Sequence, residues 1–448
     1  MEYVQLKILL ENHKEQSAVA TKEYLLKEVF TPAKPARVSF VNREKINRRV
    51  VRALETPGTQ IVVYGHTGSG KTTLLENKLF EVYEKHIRTN CMMGTTFEQV
   101  VLDAFEQLSE FYVDEVTNNK KTKVNKAIKA SYLSIKMSIG SDKEDAQGMK
   151  KKRILPPQLT PQSLGRLMGS AGYCWVLEDF HKVADGDKVK LSQLMKVFMD
   201  MSDEFEDLKV IALGAVNTAR EVVQGDAEMR RRLSEINVPL MTENEIIAII
   251  TKGEEALGVC FGAEIKEKIA HYCNGLPAIA HKLAYLMCDG ADIKATLPKR
   301  QRYDFLESDL NIAIDEYIED ESDTIKRVFD NALTHNKGEN AIRALLQSDQ
   351  HGANIDELFG YCKEANIRIQ KNHLDSTLEE LSQPKFGEVV KFDEDSYRYS
   401  FSDPFFRSFA LAFVWAKDEA NINKKLTPLQ KQQIYQSALA KMNEVMAS

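Results

Sequence analysis

Residues 65–72 read G-H-T-G-S-G-K-T and fit the phosphate-binding pattern G-x-x-x-x-G-K-[ST] at every fixed position. The glycines let the backbone curl so that consecutive N–H groups point at a phosphate, and the following helix adds its positive dipole end. In this pattern Lys71 reaches the outer phosphates and the Thr72 hydroxyl binds Mg²⁺. The sequence therefore predicts a nucleotide site formed by Gly65, His66, Thr67, Gly68, Ser69, Gly70, Lys71, Thr72 and Thr73.

The chain on either side of this segment supports the same prediction. Residues 61–64 form an apolar run typical of a buried strand, and residues 73–79 suit a helix. A Gly-rich turn that matches by accident is the alternative, but the strand–loop–helix context argues against it. The N-K-x-D pattern with which G proteins bind guanine is incomplete, because Ile128 stands where the aspartate is needed after Asn125-Lys126. We therefore expect ATP or ADP, with Mg²⁺.

A second apolar run, residues 173–177, ends in Glu178 and Asp179. Such a short run is typical of a buried parallel strand, and ligands bind at the carboxyl ends of strands in open α/β sheets. Hydrolysis of a phosphoanhydride uses one carboxylate to hold Mg²⁺ and another to orient the attacking water. Glu178 and Asp179 are therefore the predicted catalytic and metal-binding pair, with Thr72 as the other metal ligand. A strand that ends in surface acids is the alternative.

Further candidates lie downstream of this pair. Asn217 or Thr218 follows another buried strand and is placed to hydrogen-bond the γ-phosphate or the water. The run Arg230-Arg231-Arg232 contains either an arginine finger for a neighbouring subunit, with Arg232 as the candidate, or a basic helix end. His181 is a further candidate because it is close in sequence to the acidic pair. The alternative is that His181 has only a structural role.

Bulk properties exclude several classes of protein. The chain has 448 residues, a net charge of −6 and six scattered cysteines without a C-x-x-C pair, which argues against a zinc ribbon or a disulfide scaffold. The slightly negative net charge does not indicate a nucleic-acid-binding surface. No signal peptide and no membrane-length apolar run is present, so we expect a cytoplasmic protein without a membrane partner.

Strands alternate with helices up to about residue 241, after which the pattern becomes helical. The predicted fold class is α/β, a P-loop parallel sheet with helices on both faces, followed by a helical lid and a winged-helix domain. The winged helix is expected from three short helices and an alternating strand pair after residue 340. The predicted divisions are an N-terminal helical segment (1–39), the ATPase core (40–241), the lid (242–303), a helical connector (304–339), the winged helix (340–417) and a C-terminal helix (418–448).

Residues 118–153 form an insertion with eleven basic and three acidic residues. Its alternating stretch at 132–139 and the turn after it suggest a lysine-rich hairpin. The functional interpretation is a patch that follows phosphates or docks a partner. The alternative is a solvated loop, because aromatic residues are few.

Taken together, these segments resemble the STAND branch of AAA+-like P-loop ATPases, over about residues 40–415. Besides the phosphate loop and the acidic pair, the resemblance rests on Phe40-Val41-Asn42-Arg43-Glu44 and on Gly275-Leu276-Pro277. It implies that Arg43 borders the adenine and that Pro277, in the G-x-P motif of the lid, faces the base and senses the nucleotide state. That family usually has Asp first in the acidic pair, whereas here Glu178 precedes Asp179, which leaves the division of labour between them open.

Three functions compete. The first is an ATP-driven switch that forms homo-oligomers and acts in bacterial anti-phage defence or regulation, with a separate effector or sensor protein. The second is a DNA-associated ATPase of the origin-recognition or transposition-regulator type, although the acidic end of the expected recognition helix, residues 371–380, disfavours nucleic acid. The third is a scaffold that binds nucleotide without turnover, against which the intact Lys71, Glu178 and Asp179 count.

Overall fold

A five-stranded parallel sheet forms the centre of the amino-terminal half. The computed structural model describes residues 23–83, 85–117, 160–215, 218, 222, 227–298, 301–320 and 323–425. The strands are β1 Gln60–Tyr64, β2 Lys85–Asn90, β3 Tyr173–Glu178, β4 Lys209–Gly214 and β5 Leu233–Asn237. The strand order is β2-β3-β4-β1-β5, and every pairing is parallel.

Helices cover both faces of this sheet because its buried strands carry apolar side chains on both sides. One face packs Val62, Trp175 and Val210 against helices α4, α5 and α6. The other packs Ile61, Val176 and Ile211 against α2 and α3. The helices of this half are α1 Leu26–Val29, α2 Glu44–Glu55, α3 Lys71–Val82, α4 Phe97–Thr117, α5 Pro161–Ala171 and α6 Asp185–Asp200. The predicted α/β class with helices on both faces is confirmed.

A helical lid follows the sheet. Its first helix begins with a capping box, in which the Thr242 hydroxyl accepts from Glu245 N and the Glu245 carboxylate accepts from Thr242 N. The lid helices are α7 Glu243–Leu257, α8 Ala263–Cys273 and α9 Pro277–Gly290, with the short parallel pair β6 Val259–Cys260 and β7 Tyr303–Asp304. Two connecting helices come next, α10 Glu307–Asp320 and α11 Asp323–Thr334.

The carboxyl-terminal region has the winged-helix arrangement of three helices and an antiparallel hairpin. The elements are α12 Gly338–Leu346, α13 Ile355–Glu364, α14 Lys371–Leu381, β8 Val390–Asp393, β9 Arg398–Phe401 and a final helix, α15 Pro404–Lys425. The sequence predicts that this tail is a separate unit. In the structure its apolar side chains share one continuous core with the lid and the connector, because α15 packs on both α8 and α10.

The basic insertion lies outside the described residues, as do residues 1–22 and 426–448. No helix among the described residues is long and apolar enough to span a membrane.

Candidate nucleotide site

The phosphate loop joins β1 to α3 and depends on glycine at two positions. Gly65 has φ +152°, and a Cβ there would lie 2.3 Å from the carbonyl oxygen of Val238. Gly70 precedes α3 in the left-handed region, with φ +89°, which glycine adopts without strain. The loop therefore delivers the amino end of α3, with its unpaired N–H groups, into the site.

Lys71 and Thr72 begin the helix that follows the loop. Lys71 Nζ donates to the carbonyl oxygens of Gly65, at 3.0 Å, and His66, at 2.7 Å. Burial lowers the pKa of Lys71, while the charges of Asp179, Glu178 and Asp403 oppose that shift. The Thr72 hydroxyl donates to Glu178 Oε2 across 3.4 Å. The loop and the acidic pair thus meet, as the sequence predicts for a phosphate and metal site.

Glu178 ends β3 and is the more buried of the two acids, with 14% of its side chain exposed. Its Oε1 is buried without a hydrogen bond to any described residue, and it lies 3.5 Å from Arg88 Nη1. Arg88 also pairs with Glu76 at 2.8 Å. Burial raises the pKa of Glu178, and Arg88 partly opposes this. A buried carboxylate oxygen beside the Thr72 hydroxyl has the donor chemistry that Mg²⁺ prefers, so these residues fit the metal.

Asp179 faces a different environment. Its backbone adopts φ +53°, an uncommon conformation for a non-glycine residue that is found at functional sites. Half of its side chain is exposed, and it pairs with Lys182 Nζ at 2.6 Å. The two acids therefore differ: Glu178 is directed at Thr72, while Asp179 remains open to solvent.

One cavity of about 390 Å³ collects most of the predicted residues. Its walls come from the phosphate loop, the acidic pair, the segment 31–43 and the lid. Gly65 and His66 lie at the base of the loop beside it, and burial lowers the pKa of His66. The predicted site residues that line the cavity are Arg43, Thr67, Gly68, Ser69, Gly70, Lys71, Thr72, Thr73, Glu178, Asp179 and Pro277; His181 lines it too.

The two residues taken from the G-x-P and F-x-x-R-E resemblance lie at the junction of sheet and lid. Pro277 is next to the loop, since a Cβ on Gly70 would lie 3.6 Å from Pro277 Cγ. The buried guanidinium of Arg43 pairs with Glu245 at 3.1 Å and donates to the carbonyls of Pro239 and Leu240. Arg43 therefore lines the cavity while fixing the chain that leads from sheet to lid.

The structure does not bring Arg232 to this site. Arg232 immediately precedes β5, and its carbonyl accepts from Gln60 N at the amino end of β1, whereas the phosphate loop follows the carboxyl end. Its side chain pairs with Asp200 at 2.6 Å. Arg230 and Arg231 end a 3₁₀ turn, Ala227–Arg231, and Arg232 follows it. A role for Arg232 in a neighbouring subunit stays a prediction.

The residues predicted after β4 are only partly described. Asn217 lies outside the described residues. Thr218 is buried against Gly214, and its hydroxyl has no hydrogen-bond partner among the described residues.

Several residues of the site were missed by sequence reasoning. Nothing in the sequence marks Arg88 as a site residue, because it comes close to Glu178 only through the pairing of β2 with β3. The amino end of α15 is another such region. The charge of Asp403, which precedes α15, opposes the lowering by burial of the pKa values of His66 and Lys71, and Arg407 Nη1 donates to Asn274 Oδ1 of the lid turn at 2.7 Å. His281 lies four residues after Pro277, a spacing that shares a helix face and could have flagged it.

Comparison with solved structures finds similar chains at low identity. A Walker-type ATPase of Pyrococcus abyssi is 14% identical with a TM-score of 0.47, covering 84% of this chain and 97% of that one. The ORC2 protein of Aeropyrum pernix, solved as ADPNP–ADP complexes, is 12% identical with a TM-score of 0.43, covering 87% and 99%. The RuvB Holliday junction branch migration motor of Thermotoga maritima is 11% identical with a TM-score of 0.40, covering 84% and 97%. No protein-family model and no curated protein matches the sequence.

Proposed function

We propose that this protein is a Mg²⁺-dependent ATPase of the AAA+ type whose lid and winged helix change position with the state of the nucleotide. The observation that carries the proposal is the single cavity in which the phosphate loop, the acidic pair and the Pro277 turn of the lid meet. A site that only anchored a phosphate would not need the buried carboxylate of Glu178 beside Thr72.

Each group has a task in hydrolysis. The loop N–H groups and Lys71 hold the phosphates, and Thr72 with Glu178 would hold Mg²⁺, which supplies neutralising charge to the phosphates. Asp179, more exposed than Glu178, is the group that orients the attacking water. Because Glu178 contacts both Arg88 and Thr72, it is the acid to which the proposal assigns the metal, while Asp179 is assigned the attacking water.

The route from the cavity to the winged helix runs through one turn. Gly275 accepts from Met241 N at 2.9 Å, and Leu276 lies against Gly68 of the phosphate loop. Asn274, at φ +47°, accepts from Arg407 and donates to the Pro404 carbonyl at 3.2 Å. A shift of this turn with the γ-phosphate would therefore reach α15 directly.

Assembly into homo-oligomers forms part of the proposal, with Arg232 as the candidate finger in trans. Arg232 lies at the amino ends of the strands, whereas the cavity lies at their carboxyl ends. It can therefore act only on the site of another subunit. No observation on the described residues supports a separate effector or a defence role, and we propose neither.

DNA association is the second candidate, favoured by the winged-helix arrangement of α12–α14 with β8–β9. The surface between α14 and the hairpin counts against contact there, since acids outnumber the one basic residue, Lys391, in its groove. These acids are Asp356, Asp375, Glu379, Glu388 and Glu394. Carboxylates at that position repel a phosphate backbone.

The test of the proposed function is ATP turnover by the full chain combined with its mass in solution. We expect Mg²⁺-dependent release of phosphate, and a different mass or oligomer distribution in ADP than in a non-hydrolysable ATP analogue. Duplex binding at low and at physiological salt, with and without ATP, tests the second candidate. Absence of nucleotide binding would overturn the proposal, and tight nucleotide-dependent duplex binding would promote DNA association.

A further inference from the structure

A buried histidine, His281, lines the nucleotide cavity from the lid side. It lies on α9 one helical turn beyond Pro277, the lid residue next to Gly70, and only 4% of its surface is exposed. The lid side of the same cavity is also lined by Ile249 and Ala278 and by the segment 31–36, whose Thr31 hydroxyl is buried without a partner among the described residues. Because the loop and the acidic pair occupy the phosphate end, this wall is left for the base.

The protonation of His281 follows from its one hydrogen bond. The backbone N–H of Thr31 donates to His281 Nδ1 at 3.1 Å, so Nδ1 is an acceptor. Burial lowers the pKa of His281 to about 4, and the ring is neutral at neutral pH. A neutral imidazole that accepts at Nδ1 carries its proton on Nε2.

The Nε2–H group has no hydrogen-bond partner among the residues that the structure describes. Nε2 is also not one of their fully buried polar atoms that lack a partner. That nitrogen therefore keeps accessible surface although the residue is almost wholly buried. Since the ring lines the cavity, the accessible nitrogen opens onto it. The ring is also held by an edge contact with Phe30, with centroids 6.1 Å apart.

We propose that His281 Nε2–H donates a hydrogen bond to an unprotonated ring nitrogen of the purine base, and so recognises the base. This inference rests on the proposed nucleotide site. A donor fixed in a buried wall rejects a ring position that carries its own hydrogen, as N1 of guanine does, because the buried N–H would then be left unpaired. The Thr31 contact locks the tautomer, so His281 reads an acceptor and cannot itself accept at Nε2.

The test uses ATP and its 1-deaza, 3-deaza and 7-deaza analogues, each of which replaces one acceptor nitrogen by C–H. Two variants separate the functions of the ring: His281→Asn retains an acceptor near the Nδ1 position, and His281→Gln places an amide donor near the Nε2 position. We expect wild type to bind one analogue about fivefold more weakly than ATP. His281→Asn should bind ATP about fivefold more weakly than wild type does. This variant should bind ATP and that analogue with equal affinity. His281→Gln should retain discrimination.

Inorganic triphosphate, which lacks a base, is the control ligand. The affinity for triphosphate should be equal in wild type and both variants. A variant that binds triphosphate more weakly has a damaged fold. The inference is then tested by the other variant together with the binding of the three analogues to wild type. Equal affinity of wild type for ATP and all three analogues, or unchanged discrimination in His281→Asn, would overturn the inference. Failure of wild type to bind either ATP or triphosphate would instead overturn the proposed function.

Discussion

Thr72 and Glu178, 106 positions apart in the chain, meet across 3.4 Å between Oγ1 and Oε2. Strand order explains the meeting, because β4 alone separates β1 from β3, a span of about 10 Å that one Glu and one helix start can bridge. The contact therefore joins the phosphate loop and the acid in one site.

Lys71→Ala should weaken ATP binding by about 10- to 100-fold, because a charge-assisted hydrogen bond to phosphate contributes about 1.5–3 kcal/mol. Titration with a fluorescent ATP analogue measures it. Lys85→Ala is the matched control, since Lys85 lies on β2 over the ring of Tyr173. Unchanged affinity in Lys71→Ala would contradict the assignment of the phosphate loop.

Glu178→Gln and Asp179→Asn should separate metal binding from turnover. Glu178→Gln removes a carboxylate beside Thr72, so Mg²⁺ should no longer strengthen ATP binding. Asp179→Asn should retain that Mg²⁺ effect and lose about 100-fold or more in turnover, the usual contribution of a positioned base. Calorimetric titration with and without Mg²⁺, together with phosphate release, provides both readouts. The reverse pattern would exchange the two roles.

Arg88→Met should move the acid limb of the ATPase pH profile to higher pH. Burial raises the pKa of Glu178 and Arg88 opposes it, so removal of Arg88 raises that pKa further. A carboxyl whose pKa is raised by folding holds its proton more tightly in the native state, and the free energy of unfolding therefore falls as pH rises through the window above its ordinary value.

The matched control for Arg88→Met is Lys85→Met, which removes a positive charge from the same strand at a residue that pairs with neither Glu178 nor Glu76. Turnover of both variants between about pH 4 and 8 covers the ordinary carboxyl range and the raised one. Identical profiles for Arg88→Met and wild type would show that Glu178 does not limit the reaction on the acid side.

Gly275→Ala should destabilise the junction of lid and sheet by about 1–3 kcal/mol. Gly275 has φ +75°, and a Cβ there would lie 2.5 Å from the Met241 carbonyl oxygen. Gly290→Ala in α9 is the control, with no neighbour within 4 Å of the added Cβ. Urea unfolding followed by circular dichroism compares the midpoints. A Gly275→Ala midpoint equal to that of Gly290→Ala would show that the turn relaxes without cost.

The sequence by itself determined the elements whose signals are local. The loop glycines, the capping box at Thr242 and the apolar runs that became β1, β3 and β4 specify their own conformation through backbone sterics and burial. The same local signals anticipated the lid and the helices and hairpin of the winged helix, and the pairing of loop and acids followed from the requirements of phosphate chemistry.

Only the tertiary structure decided which side chains become neighbours across the fold. Arg88 reaches Glu178 because β2 pairs with β3. Arg43 donates to the carbonyls of Pro239 and Leu240, whereas the family resemblance implies only that it borders the adenine. Likewise, Arg407 of α15 donates to Asn274 of the lid turn, and His281 accepts from Thr31 across 250 positions. These contacts depend on strand order and on packing between distant segments, which no periodicity along a single chain encodes.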